Sequence, residues 1–258
     1  MYIFVVIKGI LIPLIGTVAG ALCVFFIKGD INKSIKFCLQ GFAAGVMVAA
    51  SVWSLLIPSV DYSSSMGFFA FVPAVTGLII GFVALMLSEK LILYLGSKMN
   101  LDTKSKRKNA LLVLAVVIHN IPEGMAVGVI FAGLLNGLNL VTVAAAFSVA
   151  IGIALQNFPE GAIISMPLAA DGMNKGKAFM YGALSGVVEP LGALLTILAF
   201  SLITPILPYL LSFAAGAMLY VVVEELIPDI SEDNNCFSGT LSFAIGFSLM
   251  MALDVALG

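Results

Sequence analysis

Two related hexapeptides, His119-Asn-Ile-Pro-Glu-Gly124 and Gln156-Asn-Phe-Pro-Glu-Gly161, stand out in this sequence, the second beginning 37 residues after the first. Each lies within a long apolar stretch of the kind that predicts a membrane-spanning helix. Ionisable side chains at membrane depth cost several kcal/mol each, so they are seldom present without a role. The pair therefore indicates a helical membrane protein and marks the region of its functional site.

The composition supports the same fold class. Of the 258 residues, 61% are hydrophobic and 10% are charged, and the mean hydropathy is +1.16. Soluble domains are nearer half apolar and a quarter charged, so a disordered chain and an ordinary soluble enzyme are excluded. The three cysteines (Cys23, Cys38 and Cys236) have no C-x-x-C spacing, which argues against a disulfide framework or a thiolate metal site. No basic stripe is present, so no nucleic-acid partner is expected.

The apolar stretches predict an all-α polytopic membrane protein with eight transmembrane helices, and 1–258 is a single transmembrane domain. The predicted spans are 3–27, 36–60, 69–95, 110–132, 139–168, 178–203, 208–228 and 238–257. Spans 1 to 3 occupy about 3–95, spans 4 and 5 about 110–168, and spans 6 to 8 about 178–257. The connections between them are too short to hold a soluble domain.

A second internal repeat relates span 2 to span 7. Ala43-Ala-Gly-Val-Met47 matches Ala214-Ala-Gly-Ala-Met218, and Leu56-Ile-Pro58 matches Leu226-Ile-Pro228. Three spans before a central pair and three after it have opposite orientations, which predicts a 3+2+3 inverted-repeat arrangement. Inverted repeats with a site near the bilayer midplane are typical of transporters.

The basic residues predict the orientation. Of the 12 Lys and Arg residues, all except Lys8 lie at or in the connections after spans 1, 3 and 5. Those three connections share one side of the membrane, which the positive-inside rule makes the cytoplasm. The sequence therefore predicts a multi-pass protein of a prokaryotic cell (inner) membrane with both termini extracellular.

The polar residues of the hexapeptides fall on shared helix faces. His119 and Glu123 are four residues apart, as are Gln156 and Glu160, and residues four apart lie on one face. Two antiparallel helices would bring together an imidazole, two carboxylates and an amide oxygen. Nitrogen and oxygen ligands of this kind suit a borderline divalent cation such as Zn²⁺.

Prolines and glycines accompany these side chains. Pro122 and Pro159 remove a backbone donor, so each is expected to kink its helix and unwind the backbone around a cavity. Gly124 and Gly161 follow the two glutamates and leave room beside them. Glu189, which precedes a proline in span 6, repeats the pairing of glutamate with proline.

These motifs and the short connections resemble the ZIP (Zrt/Irt-like) divalent metal transporters, in particular the prokaryotic GufA-like branch. The resemblance covers essentially the whole chain and implies metal sites between helices 4 and 5. The main site that it implies consists of His119, Glu123, Gln156 and Glu160. The neighbouring site that it implies consists of Asn120, Asn157 and Glu189, with Glu160 shared. Met47 in span 2 matches a family methionine near the site.

The chain departs from the family pattern at two of these positions. Many members have His where Gln156 stands, and some have Asp where Asn157 stands. The metal preference and the occupancy of the second site therefore stay open. Glu224 and Glu225, at the end of span 7, occupy a place where the family often has metal-binding groups, and an exit-path role for them is also open.

The resemblance implies a transporter that moves divalent metal ions into the cytoplasm and is not an enzyme. Zinc is the first candidate, with Cd, Fe and Mn as others, and Zn²⁺ is expected as transported substrate, with no organic cofactor. The expected partners are the metal ion and the lipid bilayer, and a homodimer is an open alternative.

Two other functions remain open from the residues. A metal-selective channel could use the same carboxylates. An intramembrane serine protease could pair Ser185 with His119, the only histidine, but it would leave the duplicated hexapeptides unexplained. A zinc metalloprotease is excluded because H-E-x-x-H is absent.

Overall fold

The computed structural model describes residues 2–26, 32–98, 104–136, 142–170, 172–231 and 237–257. Over these residues the chain is helical without a β-strand, and it contains eight stretches long and apolar enough to cross a membrane. Spans 1 to 5 are Tyr2–Phe26, Lys33–Ala50 continued to Tyr62, Phe71–Lys98, Lys104–Leu135 and Val143–Ala170. Spans 6 to 8 are Lys175–Ser185 with Val188–Leu198, Leu207–Val221 continued to Ser231, and Phe237–Leu257. The prediction of an all-α protein with eight spans is confirmed.

Some helix ends differ from the prediction. The helix of span 4 begins at Lys104 rather than near 110, since basic residues outside the apolar core of a span can continue its helix. Span 6 is divided where Gly186 ends the first helix and Val188 begins the second. Short 3₁₀ turns at Ser64–Phe69 and Thr204–Ile206 connect spans 2 to 3 and 6 to 7. The predicted connections that fall on 27–31, 99–103, 137–141 and 232–236 lie outside the described residues.

The expectation of unwound backbone at the two prolines is wrong. Pro122 and Pro159 both lie inside unbroken helices, in spans 4 and 5. A proline removes one hydrogen bond of the helix, but packed neighbouring helices can hold the helical path on both sides of it. Polar groups at this depth therefore come from side chains on continuous helices.

The spans associate in four close pairs: 1 with 5, 2 with 8, 3 with 7, and 4 with 6. Glycines make each approach possible. A Cβ added at Gly45 would lie 2.1 Å from the Phe243 carbonyl oxygen, and one at Gly216 would lie 2.0 Å from that of Leu78. Only residues without a side chain permit such backbone contact between helices.

The pairs form two groups of four spans, one with spans 1, 4, 5 and 6 and the other with spans 2, 3, 7 and 8. Spans 2 and 5, and spans 4 and 7, contact each other across the boundary between the groups. The inverted repeat relates span 1 to 6, span 2 to 7, span 3 to 8 and span 4 to 5. If the related spans are exchanged, every contact in this set becomes another contact of the same set. The related spans 2 and 7 also carry π-helical segments at equivalent places, Ser51–Leu56 and Val222–Leu226. The packing thus has the symmetry that the inverted repeat predicts.

The spans differ in how much of their surface is buried inside the protein. Spans 2, 4, 5 and 7 are the most buried, whereas spans 1, 3, 6 and 8 present large apolar side chains outwards. Leu195 and Leu198 of span 6, for example, are 66% and 72% exposed. Because lipid tails can cover such side chains, these surfaces fit a bilayer, and the hexapeptides of spans 4 and 5 lie at the protected centre.

Candidate metal site

The two hexapeptides meet through a hydrogen bond between spans 4 and 5. The Gln156 Nε2 donates to the Glu123 Oε1 at 2.7 Å, and both side chains are almost completely buried. Glu160, one turn beyond Gln156, is half-buried. The helical position of His119 is described, but its side chain lies outside the described part of the chain. Of the four residues of the predicted main site, the structure therefore brings Glu123 and Gln156 into direct contact.

The second predicted cluster is assembled around the buried carboxylate of Glu189 in span 6. The Asn120 Nδ2 of span 4 donates to its Oε1 at 3.1 Å, and the Asn157 Nδ2 of span 5 donates to its Oε2 at 2.8 Å. The Thr17 Oγ1 of span 1 donates to the same Oε1 at 3.1 Å. One carboxylate thus joins three other spans.

Several oxygens of these side chains have no hydrogen-bond partner among the described residues. They are the Asn120 Oδ1, Glu123 Oε2, Gln156 Oε1 and Asn157 Oδ1. An unsatisfied buried polar atom costs about 1–3 kcal/mol, and more if it is charged. Four such oxygens in two adjacent spans are therefore costly unless something binds them.

The charges in this region are one-sided. The buried carboxylates of Glu123 and Glu189 lie in neighbouring spans of one group, while the sequence has no Lys or Arg between Lys108 and Lys175. A buried charge without a partner is strongly destabilising. A bound cation would supply the missing positive charge and would use the free oxygens.

The donor set is unusual for a metal site. Among the described residues, no group of three or more His, Cys, Asp or Glu side chains is arranged to hold a metal ion. The free oxygens belong mostly to amides, from Asn120, Asn157 and Gln156, with Glu123 contributing the carboxylate oxygen. Oxygen donors of this kind suit hard to borderline divalent cations, and metal binding by these residues stays a prediction.

The glycines beside the two glutamates admit neighbouring helices. A Cβ on Gly124 would lie 2.3 Å from the Glu189 carbonyl oxygen, and one on Gly161 would lie 2.1 Å from the Thr17 carbonyl oxygen. Each hexapeptide therefore packs its glycine directly on an outer span, span 6 for the first and span 1 for the second. The space that the sequence predicts beside each glutamate is occupied by backbone.

Met47 is fully buried in span 2. It belongs to the same hydrophobic cluster as Ala126 and Val127, which follow Glu123 by one turn. Met47 therefore belongs to the core of the molecule, and its role toward a metal stays a prediction.

Comparison with known proteins shows the family of this chain. The family model described as ZIP Zinc transporter matches residues 102–254. The zinc transporter ZIP11 of Xenopus tropicalis is 36% identical over 317 aligned positions, which cover 94% of each chain. This chain belongs to the ZIP family.

Other ZIP proteins extend the comparison to bacteria. The zinc transporter GufA of Myxococcus xanthus is 41% identical over 60% of this chain and 58% of its own. The zinc transporter ZIPB of Bordetella bronchiseptica is 34% identical over 94% of this chain and 78% of its own. The resemblance stated from the motifs is thereby confirmed.

The protease alternative finds no support in the geometry of Ser185. Its hydroxyl is buried and donates to the Gly182 carbonyl oxygen of its own helix at 2.7 Å. Its carbonyl oxygen accepts a hydrogen bond from the Asn120 Nδ2 at 3.2 Å. ZIP relatives are named as transporters, in line with the prediction that the chain is not an enzyme.

The sequence reading missed Thr17. A single threonine in an apolar span is usually a packing residue whose hydroxyl bonds its own helix, so its residue type gives little signal. Its position between Gly16 and Gly20 indicated only a close helix contact. The contact with Glu189 depends on which spans pack together.

A cavity of about 220 Å³ lies among spans 2, 4, 5, 7 and 8. Its lining includes Ser54, Asp61, Val129 and the carboxylate of Asp254. The Ser54 Oγ lies 2.9 Å from both carboxylate oxygens of Asp254, and the Ser148 Oγ donates to one of them at 3.1 Å. Val129 is six residues beyond Glu123, so the cavity lies roughly 9 Å along span 4 from that glutamate.

Proposed function

We propose that this ZIP protein carries divalent metal ions, zinc foremost, across the membrane through a site between spans 4 and 5. The observation that carries the proposal is the set of four buried oxygens without a hydrogen-bond partner among the described residues. They come from both hexapeptides, and bound cations would satisfy them. The zinc transport named for its relatives supports the same substrate.

The metal is the transported substrate. His119 would supply the nitrogen ligand, and Glu123, Gln156 and Glu160 the oxygen ligands of the main site. Asn120, Asn157 and Glu189 would form the neighbouring site, with Glu160 shared. Met47 would contact the metal from the opposite group of spans. A mixed set of nitrogen and oxygen ligands suits Zn²⁺ and leaves Cd²⁺, Fe²⁺ and Mn²⁺ as further candidates.

The position of the cavity and the distribution of the basic residues together indicate a route for the metal. The cavity that contains Asp61 and Asp254 lies at the ends of the spans away from the Lys- and Arg-rich connections. If those connections are cytoplasmic, as the positive-inside rule predicts, the cavity opens outside and both termini are extracellular. Metal would enter there, pass the hexapeptides and leave toward the cytoplasm.

Access would alternate by movement of the two groups of spans against each other. Close backbone contacts hold together the pairs within each group, such as Gly161 on Thr17 and Gly45 on Phe243. Movement at the boundary between the groups would expose the central site first to one side and then to the other.

The test is metal uptake into proteoliposomes, with Gln156→Leu compared with Gln40→Leu. Both glutamines are buried in membrane spans, but Gln40 lies in span 2 and outside the hexapeptides. We expect saturable zinc uptake by the wild type and by Gln40→Leu, and at least about a tenfold loss of uptake efficiency in Gln156→Leu, since an oxygen ligand is removed.

Glu123→Gln should lower uptake in the same way, because it removes the negative charge while keeping the shape of the side chain. Size-exclusion chromatography of each variant confirms that it is folded. Equal uptake by the wild type, Gln156→Leu and Glu123→Gln would contradict the site. Ion currents in place of slow saturable flux would indicate the channel alternative.

A further inference from the structure

Hydrogen bonds from several spans meet at Glu189. Its carboxylate accepts bonds from Thr17, Asn120 and Asn157, which belong to three different spans. A carboxylate offers about four lone-pair positions, so most of the acceptor capacity of Glu189 is used within the protein. What is left free near it is the amide oxygen of each asparagine.

The orientation of the two amides follows from the charge of Glu189. An amide carries a donor nitrogen and an acceptor oxygen on opposite sides, and a carboxylate attracts the nitrogen and repels the oxygen. With Nδ2 directed at Glu189, the Oδ1 of Asn120 and of Asn157 must be directed away from it. Both oxygens are buried there without a hydrogen-bond partner among the described residues.

Thr17 is the third residue that contacts the Glu189 carboxylate. It is fully buried, and its hydroxyl lies 3.1 Å from the same Oε1 that Asn120 contacts and 3.4 Å from the Pro13 carbonyl oxygen of its own helix. The charged and nearer acceptor is the carboxylate, and charged acceptors form the stronger hydrogen bonds. Gly186 leaves the space for this side chain, since a Cβ there would lie 2.7 Å from the Thr17 Oγ1. A third donor on the carboxylate restricts its rotation, and the two asparagines are held with it.

Thr17 and Glu189 also occupy equivalent places in the inverted repeat. The glycine of the first hexapeptide packs on the backbone of Glu189, and that of the second packs on the backbone of Thr17. Spans 1 and 6, which carry these residues, are exchanged by the repeat. The bond between Thr17 and Glu189 therefore joins the two outer spans at the point where each supports a hexapeptide.

We propose that Thr17 is a positioning residue: by its hydrogen bond to the Glu189 carboxylate it holds that carboxylate, and with it the amide oxygens of Asn120 and Asn157, in place for the transported metal. This inference rests on the proposed function, in which Asn120, Asn157 and Glu189 belong to the neighbouring site. Thr17 itself does not contact the metal and acts through Glu189.

The test compares Thr17→Val with Thr17→Ser by zinc uptake kinetics in proteoliposomes. Valine has nearly the shape of threonine but no hydroxyl, whereas serine keeps the hydroxyl. We expect Thr17→Val to raise KM about fivefold to tenfold with little change in the maximal rate per folded protein, because a hydrogen bond to a carboxylate is lost. Thr17→Ser should restore a KM within about twofold of the wild type.

A double-mutant cycle with Glu189→Gln separates positioning from general packing. If Thr17 acts through Glu189, adding Thr17→Val to Glu189→Gln should change KM by less than about twofold. The matched control is Thr196→Val in span 6, because the Thr196 hydroxyl bonds the Gly192 carbonyl oxygen of its own helix. Its KM should stay at the wild-type value.

The outcomes distinguish the inference from the proposed function. A wild-type KM in Thr17→Val, or effects of Thr17→Val and Glu189→Gln that multiply, would overturn the positioning role while the wild type still transports zinc. A reduced rate with an unchanged KM would show a structural role alone and would also overturn it. Absence of zinc uptake by the wild type would instead contradict the proposed function.

Discussion

Gln156 joins the two hexapeptides through one end of its amide and leaves the other end free. Its Nε2 is occupied by Glu123 at 2.7 Å, and its Oε1 is buried without a hydrogen-bond partner in the described part of the chain. The family often has histidine at this position, which would supply a softer nitrogen donor. Glutamine would make the proposed site richer in oxygen, and oxygen donors favour harder cations.

Gln156→His should therefore increase the preference for zinc over manganese. An imidazole can still donate an N–H to Glu123 while it offers its other nitrogen to the metal. We expect the ratio of uptake efficiencies, zinc to manganese, to rise about tenfold. Competition uptake with both metals measures this ratio directly.

The reciprocal variant His119→Gln serves as the control for this change, since it replaces the nitrogen donor by an oxygen donor and should lower the same ratio. A ratio that stays constant in both variants would mean that neither residue selects the metal.

At the scale of the helix, glycine decides how close the outer spans approach the site. Gly161 lies against the Thr17 carbonyl oxygen and Gly124 against that of Glu189, so a methyl group at either position would collide with backbone. Backbone cannot move aside as a flexible side chain can. These contacts set the distance over which Thr17 and Glu189 reach the two asparagines.

Gly161→Ala should destabilise the protein by at least about 2 kcal/mol, because the added Cβ would lie 2.1 Å from the Thr17 oxygen. The matched control is Gly192→Ala, whose Cβ would lie 3.4 Å from the nearest atom, the Ile121 carbonyl oxygen. Thermal unfolding in detergent should show a clear decrease for the first variant and almost none for the second. Equal midpoint temperatures for the two variants would show that spans 1 and 5 can move apart without a loss of stability.

At the scale of the whole molecule, the orientation of the chain determines what the cavity does. The asymmetry of Lys and Arg predicts that the connection between spans 2 and 3 is outside and that the connection between spans 5 and 6 is inside. Ser64 lies in the first connection and Lys177 at the start of span 6, and both are exposed. They form a matched pair for a test of orientation.

In a background where Cys23, Cys38 and Cys236 are replaced, Ser64→Cys and Lys177→Cys can each be labelled in intact cells. A membrane-impermeant thiol reagent should label Ser64→Cys and leave Lys177→Cys unlabelled until the cells are permeabilised. The opposite pattern would reverse the orientation and turn the cavity with Asp61 and Asp254 toward the cytoplasm.

The fold was predictable because its signals are local. Twenty apolar residues are enough to identify a span, and the two hexapeptides place their glutamates within spans 4 and 5 from sequence alone. The repeat of Ala43–Met47 in Ala214–Met218 also indicated which spans are related. Helix continuity at Pro122 was less predictable, since packed neighbours decide whether a proline breaks a helix.

The sequence alone determined the eight spans, the family and the two hexapeptides that contain the candidate ligands. Only the tertiary structure decided which ends of those side chains remain free. The amides of Asn120 and Asn157 turn their nitrogens to Glu189 and leave their oxygens without a partner among the described residues. Thr17 lies beside these residues because span 1 packs on span 5. Spacing along one helix predicts a shared face, whereas contact between distant spans depends on where glycines allow backbones to meet.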